Sequence, residues 1–220
     1  MIWDALKLSL LVVAFATLIV AVLGILFAFL LAKFNFRGKE LLDAVLTMPL
    51  VLPPTVTGYF LIVLLGRRGI LGGYIYDLTG WTIVFTWEAA VVAAVVVALP
   101  LMIKASRASI ESVNVDYEIA SYTLGKGVLE TFFRITLPLA KRGVLAGLIL
   151  SFARALGEFG ATLMIAGNIP GKTQTMPLAI YEAVASGDDR RAQILAVILT
   201  AISILAVYLT NKISRSQVYG

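Results

Sequence analysis

The stretch that decides the fold is VDYEIASYTLGKGVLETFFRITLP at residues 115–138, the most polar stretch of its length in a strongly apolar chain. It contains two short helical patterns separated by Gly125-Lys126-Gly127. The first pattern runs from Tyr117 to Leu124 and carries Glu118 in its opening turn, where a carboxylate suits the positive end of a helix. Gly125 follows it, and glycine is common just past the end of a helix.

The second pattern runs from Val128 to Thr136 and has one apolar face. Glu130 and Arg134 stand four residues apart in it, a spacing at which opposite charges attract across one helical turn. Pro138 is expected to end this helix, because the residue before a proline is pushed out of the helical conformation. We therefore expect two short helices with a glycine elbow, inserted between membrane spans where another molecule can hold them.

The composition defines an integral membrane protein. Of the 220 residues 60% are hydrophobic and only 14% are charged, whereas soluble domains are about 45–50% apolar. The length suits one domain, residues 1–220, of five or six spans. Cysteine and histidine are absent, which excludes disulfides, thiol chemistry and histidine-based metal sites, and we predict no metal site. The net charge of +5 fits basic cytoplasmic loops and requires no nucleic acid.

Long apolar runs predict an all-α membrane protein with about five transmembrane helices. The predicted spans lie at about residues 5–32, 41–65, 83–103, 143–166 and 192–210. Pro49, Pro53 and Pro54 interrupt the second of them. A polar cytoplasmic insert, residues 104–142, separates the third span from the fourth.

The lysines and arginines predict the orientation, because cytoplasmic loops carry an excess of both. Most of them fall in residues 33–40, in the insert 104–142 and in the tail 211–220. We therefore expect the amino terminus outside and the carboxyl terminus in the cytoplasm, in a multi-pass protein of the plasma (inner) membrane. The segments expected outside, 66–81 and 167–190, are predicted to be loops or interfacial helices.

The spacing around Gly125 resembles the EAA loop of ABC importer permeases, whose pattern is E-A-A, three residues, G, nine residues, I-x-L-P. Ile135, Leu137 and Pro138 stand at the spacing from Gly125 that this pattern requires. The first half departs from it, because Ile119 stands at the glutamate position. Ser121 replaces the second alanine, Ala120 matches the first, and Glu118 lies one position early. The alternative is an ordinary amphipathic cytoplasmic loop.

Four further motifs resemble the molybdate permease branch of these importers. They are MPLVLPPTVTGY (48–59), GRRG (66–69), SFARALGEFGAT (151–162) and NIPGKTQTMPLAIY (168–181). The resemblance extends from about Leu8 to Ile213 and implies a type I ABC importer architecture. It also implies a pore made of two copies of this chain, a cytoplasmic ABC ATPase dimer that carries ATP and Mg²⁺, an external oxyanion-binding protein, and no cofactor bound by this chain.

Within this resemblance the coupling helix is roughly Asp116–Leu124, and it docks in a cleft of the ATPase. The residues to which the resemblance assigns coupling are Asp116, Glu118, Ala120, Ser121, Leu124, Gly125, Ile135, Leu137 and Pro138.

The second span contains a candidate lining of the transport path, Pro53, Pro54, Thr55, Thr57 and Gly58. Broken backbone at membrane depth is tolerated where it faces protein or a water-filled cavity. The two threonine hydroxyls either donate to a tetrahedral oxyanion or bond back to their own helix at a plain proline kink. The residues leave both alternatives open.

Ser151, Arg154 and Glu158 are further candidates for the path, because charges inside a span rarely face lipid. Either Arg154 and Glu158 form an intrahelical pair that steadies a subunit interface, or Arg154 supplies positive potential to an anion path while Glu158 tunes it. Two arginine pairs at the outer surface are candidates for contact with the binding protein, with solvated surface charge as the alternative. These are Arg67, Arg68, Arg190 and Arg191, near the acidic Asp77, Asp188 and Asp189.

The residues 166–173 satisfy the loose P-loop pattern, but an apolar span precedes them and Pro170 removes an amide donor. We therefore predict no enzyme activity in this chain, only a permease powered by a separate ATPase that moves an oxyanion inward by alternating access.

The oxyanion that the resemblance implies is molybdate, and tungstate or sulfate is the alternative substrate. A self-sufficient carrier or channel would need an internal repeat or several buried ionisable groups, and only Arg154 and Glu158 are available.

Overall fold

Apolar runs in the sequence become long helices in the computed structural model, which describes residues 2–215. No strand occurs within that range, and four helices are long and apolar enough to cross a membrane, or five if a bent pair forms one span. The expected all-α membrane fold is confirmed. The helices are α1 Ile2–Lys33, α2 Lys39–Thr47, α3 Pro54–Leu65, α4 Gly72–Thr79, α5 Trp87–Glu111, α6 Val115–Thr123, α7 Val128–Thr131, α8 Leu137–Leu156, α9 Gly160–Ala166, α10 Met176–Ala185 and α11 Asp189–Arg215.

Helix α5 lies at the centre of the fold because one of its faces is made of small residues. Its alanines are at most 1% exposed at positions 89, 90, 93, 94 and 98. Small side chains let neighbouring helices approach closely in a membrane. Gly24 of α1 faces Met102, and Gly147 of α8 faces Ala105. The membrane core is therefore built from α1, α5 and α8.

The second predicted span, 41–65, is divided into two helices. Helix α2 continues into a short 3-10 turn at Met48–Leu50, and α3 begins at Pro54. The two parts are bent by 116°, far more than a proline kink in one span. Proline lacks the N–H that continues a helix but is well suited to the first position of a new one. This segment is either a broken span or a re-entrant loop.

The fourth predicted span, 143–166, is also not continuous. Helix α8 ends at Leu156, and α9 begins at Gly160 after a short break. Two glycines bring α9 and α3 together, since a Cβ on Gly160 would lie 3.1 Å from the Cβ of Pro54. A Cβ on Gly58 would lie 2.9 Å from the Cα of Ala161. The broken halves of two spans thus pack against each other.

The expectation that Pro138 ends the second helix of the insert is wrong. Helix α7 passes through a π-helical segment, Phe132–Thr136, directly into α8, where Pro138 occupies the first turn. A proline ring normally clashes with the carbonyl four residues earlier. The wider π turn opens the backbone at that point. Residues 128–156 therefore form one helical run of 29 residues.

The third and fifth predicted spans also extend beyond their expected ends. Helix α5 continues to Glu111, so a large part of the insert 104–142 is made of helix ends. Helix α11 covers 189–215, and residues 216–220 of the predicted tail lie outside the described residues. In the segment 167–190, α10 is attached to α1 because the Ser9 hydroxyl accepts a hydrogen bond of 2.7 Å from the amide of Met176.

Alanine at Gly58 should destabilise the protein, because its Cβ would overlap the backbone of α9. Overpacking of this kind costs about 1–3 kcal/mol, which exceeds the roughly 1 kcal/mol that alanine gains in a helix. Thermal unfolding in detergent should therefore show a lower midpoint for Gly58→Ala. Gly73→Ala is the matched control, because its Cβ meets only a carbonyl at 3.7 Å. Equal midpoints for the two variants would contradict the close crossing of α3 and α9.

Candidate functional site: the coupling insert and the broken helices

Helix α6 has well-defined ends. The side chain of Asn114 accepts a hydrogen bond of 2.9 Å from the amide of Asp116, which caps its start. The chain turns after Leu124 at Gly125, whose φ is +78°, a conformation that favours glycine. Two helices separated by a glycine elbow are found as expected.

Only two of the nine residues of α6 are buried, and both are polar. Glu118 is 5% exposed, and its carboxylate lies 2.7 Å from the ammonium group of Lys33 at the end of α1. The hydroxyl of Thr136 donates a hydrogen bond to the same carboxylate. Ser121 and Thr131 share a second buried hydrogen bond of 2.8 Å. Helix α6 is thus attached to the membrane helices through directional polar contacts.

The outer surface of α6 is exposed and largely apolar. Asp116, Ala120 and Leu124 are exposed, and a groove between α6 and the following helix is lined on one side by Tyr117, Ala120 and Leu124. An exposed apolar cluster on this scale is typical of a protein contact. We call it the docking surface; its large apolar members are Tyr117, Ile119, Tyr122, Leu124, Val128, Leu129 and Phe133.

The remaining predicted coupling residues have different environments. Ile135 and Leu137 are half-buried and Pro138 is exposed, at the start of α8. Burial raises the pKa of the Tyr122 phenol, and the negative charge of Glu118 adds to that effect. Tyr122, which belongs to the docking surface, therefore holds its phenol proton more strongly than a free tyrosine does.

Sequence reasoning missed Asp43, which attaches α2 to the carboxyl-terminal part of α5. Its carboxylate lies 2.9 Å from the Lys104 ammonium group and 3.0 Å from the Arg107 guanidinium. No local pattern marks this contact, because the partners are more than 60 residues apart in the chain. Asp43 therefore fixes α2, the first part of the bent segment, while the crossing with α9 fixes α3, its second part.

The structure separates the two threonines of the second span. Thr57 is 5% exposed, and its hydroxyl has no hydrogen-bond partner, so it does not bond back to its helix. Thr55, Pro53 and Pro54 are exposed at the start of α3. An unpaired buried hydroxyl carries a desolvation cost of about 1–3 kcal/mol.

Arg154, in the last turn of α8, forms an ion pair with Glu158, which lies in the break between α8 and α9. The Nη1 atom of Arg154 lies 2.9 Å from Oε2 of Glu158, which lacks the alignment of a hydrogen bond. The other carboxylate oxygen accepts a hydrogen bond of 2.8 Å from the amide of Ala161. The predicted pair at i,i+4 is therefore present, but it does not lie within one helix, because α8 ends at Leu156. Each charge instead suits the helix end beside it.

Ser151 and the outer arginines also differ in what they contact. The buried hydroxyl of Ser151 donates to the carbonyl of Ala98 at 3.3 Å, so it links α8 to α5. The guanidinium of Arg67 lies 4.0 Å from the centre of the Tyr76 ring. Arg68 and Arg190 are exposed.

Arg191 points inward and belongs to a polar cluster. Its Nη2 atom lies 3.5 Å from a carboxylate oxygen of Glu182 and donates to the side chain of Gln174 at 3.4 Å. Gln174 is itself buried and donates to Asn168. The two residues of the Arg190-Arg191 pair therefore have different environments.

The P-loop-like residues 166–173 follow α9, not a strand. The hydroxyl of Thr173 accepts from the amide of Ile169 and donates to the carbonyl of Gly167. It is fully buried, so it does not face a bound phosphate.

The fold has core helices around α5, two broken helices that cross, and a polar insert with an exposed apolar helix. These features define a multi-span permease of the type I importer class. The fold matches a bacterial ABC transporter that imports the acidic polysaccharide alginate, with a TM-score of 0.77 at 15% identity over 97% of this chain and 78% of that one. It also matches the MetNI methionine ABC transporter, with a TM-score of 0.69 at 15% identity over 98% of this chain and 93% of that one.

The chain belongs to the family described as binding-protein-dependent transport system inner membrane component, whose model matches residues 21–217. It is 46% identical to the molybdenum transport system permease protein ModB of Escherichia coli K12, over 97% of this chain and 93% of that protein. It is 47% identical to ModB of Haemophilus influenzae, over 99% of this chain and 97% of that protein. It is also 35% identical to the sulfate transport system permease protein CysW of Synechococcus elongatus, over 94% of this chain and 72% of that protein.

Removing Arg154 should destabilise the protein more than removing Glu158. Arg154→Gln leaves a carboxylate whose side chain is 1% exposed, whereas Glu158→Gln leaves a guanidinium that is 31% exposed and can regain water. An unpaired buried charge costs about 3–5 kcal/mol, so Arg154→Gln should have the lower unfolding midpoint in detergent. The double variant Arg154→Gln with Glu158→Gln should have a midpoint above that of Arg154→Gln. A lower midpoint for Glu158→Gln than for Arg154→Gln would contradict the assigned burial.

Proposed function

We propose that this chain is the membrane-spanning subunit of an ATP-driven importer that moves molybdate inward, with two copies forming the pore. The single observation that carries the proposal is the full-length similarity to the molybdenum permeases of Escherichia coli and Haemophilus influenzae. This chain also shares the fold of the alginate transporter, which was solved in complex with a periplasmic protein that holds alginate pentasaccharide. That complex supports an external binding protein as a partner.

The energy source is a separate ATPase dimer, which carries ATP and Mg²⁺. The docking surface supports this assignment, because it presents exposed apolar side chains on a short helix outside the membrane core. The nine proposed coupling residues divide by role. Glu118 and Ser121 hold α6 from behind, while Asp116, Ala120 and Leu124 face outward. Gly125 sets the turn that presents them.

Transport follows alternating access. ATP closes the ATPase dimer and draws the two α6 helices together, and the membrane helices rock so that the pore opens outward to the loaded binding protein. Hydrolysis reverses the movement. The crossing of α3 and α9 is the proposed constriction, because the unpaired hydroxyl of Thr57 lies on α3 and the partly exposed Arg154 lies in the last turn of α8, just before the break that leads into α9. Both groups offer donors to an anion without enclosing it, and weak binding allows release.

A self-sufficient carrier is the alternative from another class. Such a carrier needs ionisable groups that change charge during the cycle. Arg154 and Glu158 already neutralise each other at 2.9 Å, which disfavours that role. Tungstate and sulfate remain alternative substrates, since both share the charge and tetrahedral shape of molybdate.

Reconstitution tests the function directly. Vesicles that contain this chain, its ATPase and its binding protein should take up radiolabelled molybdate only when ATP is inside and binding protein is outside. Competition by unlabelled tungstate and sulfate ranks the three anions. Uptake that persists without ATPase would support the carrier, and uptake of sulfate alone would replace the proposed substrate.

Valine at Gly125 should uncouple hydrolysis from uptake. The positive φ costs a β-branched residue about 1–2 kcal/mol, although no atom lies within 4 Å of the added Cβ. Asparagine tolerates this conformation, so Gly125→Asn is the matched control. We expect Gly125→Val to lower molybdate uptake per ATP hydrolysed by about tenfold, and Gly125→Asn to keep most of it. Normal coupling in the valine variant would remove Gly125 from the mechanism.

The proposed orientation places residues 33–40 in the cytoplasm and Arg190 outside. Because the chain has no cysteine, single cysteines report their own side of the membrane. In intact cells a membrane-impermeant maleimide should label Arg190→Cys, which is exposed, and should label Asn35→Cys only after the membrane is opened. The opposite labelling pattern would invert the topology.

A further inference from the structure

The attachment of α6 to the rest of the protein is unusual for a helix that must transmit movement. None of its apolar residues is buried, so it is not held by hydrophobic packing. Hydrophobic contacts are non-directional and let surfaces slide. Hydrogen bonds and ion pairs fix both distance and angle. A displacement of α6 therefore acts on the membrane helices through its two buried polar residues.

Of these two residues, only Glu118 reaches a long membrane helix outside the insert. Its Oε2 atom accepts a hydrogen bond of 2.9 Å from Lys33, 85 residues away in the chain. Ser121, in contrast, bonds to Thr131, ten residues away and within the same insert. The Glu118 carboxylate thus connects α6 to the last residue of α1.

The contact is strong because water is largely excluded from it. The side chains of Lys33 and Glu118 are 20% and 6% exposed, and Thr136, which donates the additional hydrogen bond, is 1% exposed. Charge-assisted bonds are shorter and stronger than neutral ones, and more so where the dielectric constant is low. The ring of Phe29 in α1 lies 4.2 Å from the ring of Phe132, four residues before Thr136, so an aromatic contact joins the same two segments.

We propose that Lys33, Glu118 and Thr136 form a link that makes the cytoplasmic end of α1, helix α6 and the start of α8 move as one body. The proposal rests on the proposed function and assigns three positioning residues to it. When the ATPase displaces α6, the Lys33–Glu118 pair pulls the end of α1, which packs along α5. Without the pair, α6 follows the ATPase while α1 stays behind, and ATP is hydrolysed without transport.

The test compares uptake per ATP hydrolysed in reconstituted transporter. Glu118→Gln and Lys33→Gln remove one charge each and should lower this ratio by about tenfold, while the ATPase still co-purifies with the permease. The charge swap, Lys33→Glu with Glu118→Lys, should restore at least half of the wild-type ratio. Thr136→Val keeps both charges and should give an intermediate value.

The control is Glu111→Gln, which removes a charge from an exposed pair with Arg107 at the end of α5. It should leave the ratio unchanged. If wild-type vesicles show no ATP-dependent molybdate uptake, the proposed function is wrong. If wild-type vesicles take up molybdate, and the Glu118→Gln and Lys33→Gln variants keep the wild-type uptake per ATP hydrolysed, only the proposed link is wrong.

A covalent replacement decides the case even if the single variants assemble poorly. In the cysteine-free chain, Lys33→Cys with Glu118→Cys can be joined by a short bis-maleimide that spans the two missing side chains. The unjoined protein should hydrolyse ATP with little uptake, and joining should restore coupling. If joining leaves uptake per ATP as low as before, or if the unjoined protein is already coupled, the link is not the route by which α6 moves α1.

Discussion

The close packing of the alanine face of α5 against α1 and α8 is the interaction on which the rest of the structure depends. Five alanines on α5 are at most 1% exposed, and glycines on both neighbours leave room for the side chains of Met102 and Ala105. In a bilayer such packing supplies much of the association energy, because the lipid offers no hydrophobic driving force between helices. The three packed helices form a rigid frame, and the broken elements and the polar insert are attached to it.

The bent segment and the short α9 exist because that frame supplies their contacts. Non-helical backbone at membrane depth needs protein partners, and the amide of Phe85 donates to the carbonyl of Ile165 beside the crossing. Glu158 satisfies the amide of Ala161 at the start of α9. The unpaired hydroxyl of Thr57 is an exception, in the same crossing where the transport path is proposed. Structural and functional demands therefore meet at one place.

Local patterns predicted the helical class, the apolar segments and the elbow at Gly125, because each depends on neighbours in sequence. They failed where distant residues or an unusual turn decided the result. Pro138 continues a helix because a π-helical segment precedes it. The displaced Glu118 is explained by Lys33, 85 residues away, and no periodicity shows that pairing. Arg154 and Glu158 have helical spacing, yet a break lies between them, since Gly157 ends α8.

We propose that a separate ATPase drives this permease through the exposed face of α6. Cross-linking in the assembled transporter tests it most directly, with single cysteines in a chain that has none of its own. A cysteine at Ile119, which is 50% exposed on α6, should cross-link to the ATPase, whereas one at Leu78, which is 86% exposed on α4, should not. Cross-links from Leu78 with none from Ile119 would contradict the claim.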